Sequence, residues 1–115
     1  MTVKLYHNAR CVKSREAYSI ITEKGIDVQV IDYLKHPLSE KELKQLLKLL
    51  GINAEALVRK SELLYKTQYK GKLLSEKQWL TVLAKNPILI ERPVVVKGNK
   101  AIIGRPSEKV VTLLS

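Results

Sequence analysis

Tyr6-His7-Asn8-Ala9-Arg10-Cys11-Val12-Lys13-Ser14-Arg15 holds the only cysteine of the chain, and its reading decides the fold. Ahead of Cys11, Val3-Lys4-Leu5-Tyr6 alternates in the short period of a strand. Behind it, Ser14 to Lys24 has helical spacing, with Ala17, Tyr18, Ile20 and Ile21 predicted on the apolar side. Asn8 is the candidate N-cap, which puts Cys11 in or just before the first helical turn. There the unpaired backbone N–H groups and the positive end of the helix dipole favour negative charge. A thiol in that position is drawn toward its thiolate.

Outward from this stretch, Gly25 closes the first helix. Val28-Gln29-Val30-Ile31-Asp32-Tyr33 then reads as a second strand. Strand, helix, strand makes a right-handed crossover between parallel strands. Cys11 therefore lies at the C-terminal edge of the first strand, where open α/β sheets carry their chemistry. Ser39-Glu40-Lys41-Glu42 is a capping box, opening a helix with Leu43, Leu46, Leu47 and Leu50 on one face and Gly51 at its end. Asn53 is expected to cap a shorter helix through Val58, and a helical turn is expected around Glu62 to Lys66. Ser75-Glu76-Lys77-Gln78 is a second box, with Trp79, Leu80 and Leu83 behind it. Val94-Val95-Val96 reads as a buried strand, Gly98-Asn99 as a two-residue turn and Ala101-Ile102-Ile103 as the returning strand. A last helix is predicted with Pro106 in its first turn and Val110, Val111 and Leu114 buried.

A length of 115 residues fits one domain, residues 1–115, with a helical insertion at about 39–86. No apolar run approaches the ~20 residues of a membrane helix, and the N-terminus lacks the apolar core of a signal peptide. A cytoplasmic protein without membrane partners is expected. One cysteine can form neither an internal disulfide nor a cysteine-rich zinc site. With His36 the only histidine besides His7, no metal site is expected. The net charge of +10 admits nucleic acid or a small anion as partner. The lysines are scattered; Lys41, Lys44 and Lys48 share a helix face opposite leucines, which reads as a solvated face, so nucleic acid is not the expected partner.

An ordinary thiol, with a pKa of ~8.5, is only about 3% ionised at pH 7. Among His7, Asn8, Arg10, Lys13 and Arg15, Cys11 is better placed as a reactive thiolate than as a packing residue. His7 can stabilise the thiolate as imidazolium or accept the thiol proton, and a purely structural histidine is an even alternative. Three arginines lie outside the cysteine loop: Arg59 at a helix end, Arg92 before Pro93, and Arg105 before Pro106. Guanidinium forks match tetrahedral oxyanions. Taken singly, each arginine reads better as a surface ion pair; it is two or three of them around one thiolate that would suit an oxyanion.

The order β-α-β, helical insertion, β-β-α resembles the thioredoxin-like fold: α/β, with a mixed sheet. In that fold the cysteine loop faces a proline at the start of the third strand, usually cis, and Pro93 stands at that place. Tyr6-His7-Asn8 with Cys11 and Ser14-Arg15, Leu57-Val58-Arg59-Lys60, Asn86 to Val96, and Gly104-Arg105-Pro106-Ser107-Glu108 together resemble the glutaredoxin-dependent arsenate reductase (ArsC-like) family of the thioredoxin superfamily, in its YfgD-like branch. Two details depart from the family pattern: Ala9 stands where proline usually follows His-Asn, and Val12-Lys13 replaces small polar residues.

The resemblance implies that Cys11 attacks arsenate, that Arg59, Arg92 and Arg105 hold its oxygens, and that His7 and Asn8 tune the thiol. It also implies glutathione as co-substrate and glutaredoxin as partner, with arsenite released and no bound cofactor. Two other readings share the fold. One is an Spx-like regulator that binds RNA polymerase, although Ser14 rules out its disulfide switch. The other is a glutathione-linked thiol–disulfide protein without an oxyanion substrate.

Overall fold

The computed structural model describes residues 2–115, which divide into two compact units. One comprises the chain up to His36 together with Arg92–Ser115; the other is Pro37–Glu91.

The first unit is built on β1 (Thr2–His7), α1 (Val12–Glu23), β2 (Asp27–Asp32), β3 (Val94–Lys97), β4 (Lys100–Ile103) and α5 (Glu108–Leu114). The sheet runs β2-β1-β3-β4. β1 and β2 are parallel, paired from Thr2 with Asp27 through His7 with Asp32. β3 is antiparallel to β1, with Leu5 opposite Val95. β4 returns from β3 through Gly98-Asn99, and Lys97 pairs with Lys100. Gly98 has φ +60, the conformation a glycine-first hairpin turn demands. This is the mixed, thioredoxin-like α/β sheet expected from the sequence.

Side chains alternate along a strand, so Val3 and Leu5 share a face. They are fully buried with Val95 against Ala17 and Ile21 of α1 and Val110 and Leu114 of α5. Burying side chains of this size contributes roughly 1.5–3 kcal/mol each. His7 continues the same row at the strand's end, so the core fixes the point from which the cysteine loop departs.

Three local expectations are corrected. Cys11 is itself the N-cap of α1, which begins at Val12. Asn8 does not cap because its Oδ1 accepts the Arg10 N–H at 3.0 Å, a tight local turn that competes with the helix. Tyr18 is 41% exposed and Val111 39%, so α1 and α5 present narrower apolar stripes than the sequence suggests. Pro106 lies before α5, which starts at Glu108. The Arg92–Pro93 and Arg105–Pro106 peptide bonds are both cis.

The second unit carries α2 (Glu40–Leu50), α3 (Leu63–Gln68) and α4 (Glu76–Lys85). Both capping boxes form, Ser39 with Glu42 and Ser75 with Gln78. Each side-chain cap contributes about 1 kcal/mol. Gly51, at φ +69, ends α2 in the left-handed conformation. Leu43, Leu46 and Leu47 are buried while Leu50 is only half-buried, and Lys41, Lys44 and Lys48 are exposed. In α4, Trp79, Leu80 and Leu83 are buried, and the rings of Tyr65 and Tyr69 lie 6.5 and 5.9 Å from that of Trp79. Asn53 Oδ1 accepts the Ala56 N–H at 2.9 Å, but only a short 3-10 turn, Glu55–Leu57, follows.

Candidate active site

Cys11 stands where β1 hands over to α1. The loop between them is tied down by its own main chain. The Cys11 N–H donates to Asn8 O at 2.9 Å, and the Arg15 N–H donates to Cys11 O at 3.1 Å. The Asn8 N–H donates to the buried Ser14 Oγ at 3.3 Å, and Arg15 Nη1 donates to Ala9 O at 3.0 Å. The sulfur is thus presented by a loop that is anchored at four points.

Two guanidinium groups bear on that sulfur. Arg105 Nη2 donates to Cys11 Sγ at 3.2 Å. The same side chain donates from Nε to Arg92 O at 2.6 Å, which fixes the fork between carbonyl and sulfur. Arg92 is only 7% exposed, and its guanidinium also favours the charged form of the sulfur. Holding a guanidinium under cover is costly unless charge or hydrogen bonds answer it, and a thiolate supplies both.

Burial of Cys11 disfavours its charged form, but this is outweighed. The backbone N–H groups of Ser14 and Lys13, the Arg92 guanidinium and the charge of Arg105 together bring the pKa down to about 7. The helix N–H groups act here through their field, since no capping hydrogen bond closes onto the sulfur. About half of the thiol is therefore ionised at neutral pH.

The remaining residues singled out in the sequence occupy distinct places. Asn8 is buried and serves the loop through its main chain and its turn with Arg10. His7 is half-buried, its ring 6.0 Å from that of Tyr18, and its Nδ1 is buried without a hydrogen bond. Burial lowers its pKa; Asp32 raises it and Arg15 lowers it further. Its imidazole is accordingly neutral at pH 7. Pro93 is buried, and its carbonyl accepts the Gly104 N–H at 2.8 Å. Arg59 belongs to the second unit. There its Nε donates to Ser61 Oγ at 3.0 Å and lies 3.9 Å from Glu62 Oε1, while its Nη1 is buried without a hydrogen bond. Among the described residues no three of His, Cys, Asp and Glu come together as a metal site. No helix among them is long and apolar enough to cross a membrane.

A thiol at a helix N-terminus, clamped by an arginine that precedes a cis proline, can be set against known sequences. The pattern of the ArsC family matches residues 6–113.

The chain belongs to the ArsC family.

Within it the chain is 44% identical to the uncharacterised protein YfgD of Escherichia coli K12, over 97% of this chain and 96% of that one. It is 38% identical to an arsenate reductase of Neisseria meningitidis, over 97% of both chains. An arsenate reductase structure from Vibrio cholerae superposes with a TM-score of 0.92 at 43% identity, over 97% of each chain.

Two contributors to the candidate site were not foreseen from chemistry alone. One is the Ser14 hydroxyl, which holds the loop from inside; a small polar residue on the buried side of α1 was its signal. The other is Gly104. A Cβ there would lie 2.9 Å from Val110 Cγ2 and 3.0 Å from Pro93 Cγ, so any larger residue must displace one of them, and Arg105 follows directly. Its signal was a glycine between a strand and an arginine-proline pair.

Proposed function

We propose that this protein is an arsenate reductase-like oxidoreductase in which Cys11 is the nucleophile. The observation that carries this reading is the Arg105 fork, with Nη2 at 3.2 Å from Sγ and Nε held by Arg92 O. A fixed cation at the sulfur keeps it ionised and leaves further guanidinium N–H groups for the oxygens of a tetrahedral anion. The thiolate attacks arsenate and forms a sulfur–arsenic bond, and one arsenate oxygen leaves as water with two protons. Arginine N–H groups neutralise the oxygens as the bond forms. A second thiol, from glutathione, then attacks Sγ. The sulfur–sulfur bond forms as the sulfur–arsenic bond breaks, its electron pair stays with arsenic, and arsenite departs. Glutaredoxin returns Cys11 to the thiol by exchange.

The chain's single cysteine supports an external resolving thiol. Neutral His7 suits proton acceptance better than charge stabilisation. Arg59 is assigned to the oxyanion by resemblance. Arg59→Lys keeps the charge but loses the fork, so it is expected to raise KM for arsenate.

The test is arsenite formation from arsenate with glutathione and glutaredoxin present. Wild type is active and dependent on both, and Cys11→Ser is folded and inactive. An active Cys11→Ser variant refutes the reading.

A further inference from the structure

The two most exposed large apolar side chains among the described residues belong to one short stretch of the second unit: Leu73 is 100% exposed and Leu63 72%. Between Glu62 and Glu76 the chain carries Lys66, Lys70 and Lys72 and no acidic residue. All three lysines are exposed, and none forms an ion pair among the described residues. A single exposed leucine is ordinary. Two of them beside three cations make a surface with a chemistry of its own.

The stretch is held in shape from its inner side. Residues three or four apart share a helix face, so Tyr65 and Tyr69 turn the same way. Both rings lie against the buried Trp79, at 6.5 and 5.9 Å between centres. Leu63, Lys66 and Lys70 share the opposite, outer face of α3 and of the turn that ends it. There the Lys70 N–H donates to Tyr65 O at 2.9 Å and the Lys72 N–H to Tyr69 O at 3.0 Å. Lys72 Nζ lies 5.7 Å from the centre of the Tyr69 ring.

Three kinds of large anionic partner are distinguished by these contacts. A single-stranded nucleic acid stacks its bases on open aromatic faces, but Tyr65 and Tyr69 turn theirs to Trp79 and Lys72. A stable protein interface takes about 20–30 residues a side, whereas α3 has six residues and is about 9 Å long. An anionic lipid surface fits both features. Leucines enter the acyl boundary, and lysine stems lie along it with their ammonium groups among the phosphates. The expectation of no membrane partner rested on the lack of a spanning segment, which peripheral docking does not need.

We propose that the outer face of α3 and the turn after it form a peripheral docking site for an anionic lipid surface, with Leu63 and Leu73 as the apolar contacts and Lys66, Lys70 and Lys72 on the headgroup phosphates. The site is independent of the chemistry at Cys11.

Sedimentation of the full chain with vesicles tests it. Vesicles of equal parts phosphatidylcholine and phosphatidylglycerol are expected to carry the protein down, and pure phosphatidylcholine vesicles to leave it in solution. A chain of net charge +10 is drawn to any anionic surface, so the deciding variant keeps every charge. Leu73→Ser is expected to lower the partition coefficient about ten-fold, the effect of withdrawing part of one leucine from an apolar medium. Lys70→Gln lowers it about five-fold. Lys44→Gln, an equal loss of charge on the exposed face of α2, lowers it less than about two-fold. In Leu73→Trp the added indole shifts its emission to the blue on the anionic vesicles, while Trp79, already buried, stays a constant background. Full exposure of residue 73 lets both variants keep the fold, which circular dichroism verifies. Unchanged partition in Leu73→Ser, or equal losses in Lys70→Gln and Lys44→Gln, means general attraction and overturns the site. A protein that stays in solution with both kinds of vesicle also overturns it, and leaves the face to an acidic protein segment.

Discussion

Removing the Arg105 fork should leave the fold in place and lower the thiolate fraction of Cys11. Arg105 donates to Cys11 Sγ at 3.2 Å and is itself held at Arg92 O, so the charge is fixed where it counts. Hydrogen bonds to charged groups are worth ~1.5–3 kcal/mol, and a sulfur that is only partly buried takes the lower end. One pH unit corresponds to about 1.36 kcal/mol, so the midpoint of Cys11 ionisation should move up by about one unit in Arg105→Gln. The wild-type midpoint lies at about 7. At pH 7 the thiolate fraction then drops from about half to about a tenth, and alkylation by iodoacetamide slows about five-fold. The assay is the alkylation rate against pH, read by intact mass. In both proteins the rate rises with pH to a plateau, because the thiolate is the reacting form. Arg105→Lys should fall between the two, since an ammonium cannot bridge the carbonyl and the sulfur with a planar fork. An unmoved midpoint in Arg105→Gln would refute the account of the site, because the shift would then come from the helix N–H groups and Arg92 without it.

Two further substitutions test how the site is held. Gly104→Ala places a methyl 2.9 Å from Val110 Cγ2 and 3.0 Å from a proline ring carbon, both inside the core. Urea unfolding should show a loss of about 1–3 kcal/mol from overpacking, and wild-type stability would mean that the strand end yields freely. Ser14→Ala strands the buried Asn8 N–H, at a cost of about 1–3 kcal/mol in the same assay. Its ionisation midpoint should move less than that of Arg105→Gln, because the backbone N–H of residue 14 remains in place.

Much of this molecule is local, and what is local was legible. Ser39 with Glu42 and Ser75 with Gln78 carry both halves of a capping box within four residues, so helix starts are written in adjacent letters. The hairpin turn at Gly98-Asn99 follows from an equally short pattern, and the parallel pairing of β1 with β2 follows from the strand–helix–strand order. Side-chain exposure was less legible. Tyr18 and Val111 have apolar character and helical spacing, yet they stand open, because a helix face is buried only as far as its neighbours extend. The cap of α1 was missed for a local reason of another kind: Asn8 had two possible uses for its side chain, and the turn with Arg10 took it.

The site itself is where sequence reasoning depends most on non-local pairing. Cys11 and Arg105 are 94 positions apart, and no periodicity links them. What joins them is the strand order: β3 lies beside β1, and β4 beside β3. Arg92 enters β3 and Arg105 leaves β4, so the hairpin returns the second arginine to the first, where the Arg92 carbonyl takes its Nε. The cluster is therefore a product of register. Shifting one strand by a single residue would turn every side chain on it to the other face and separate the arginines from the sulfur. The buried valines of β3 thus bear on the candidate site, since their pairing with β1 and β4 holds the register that brings a cation to a thiol.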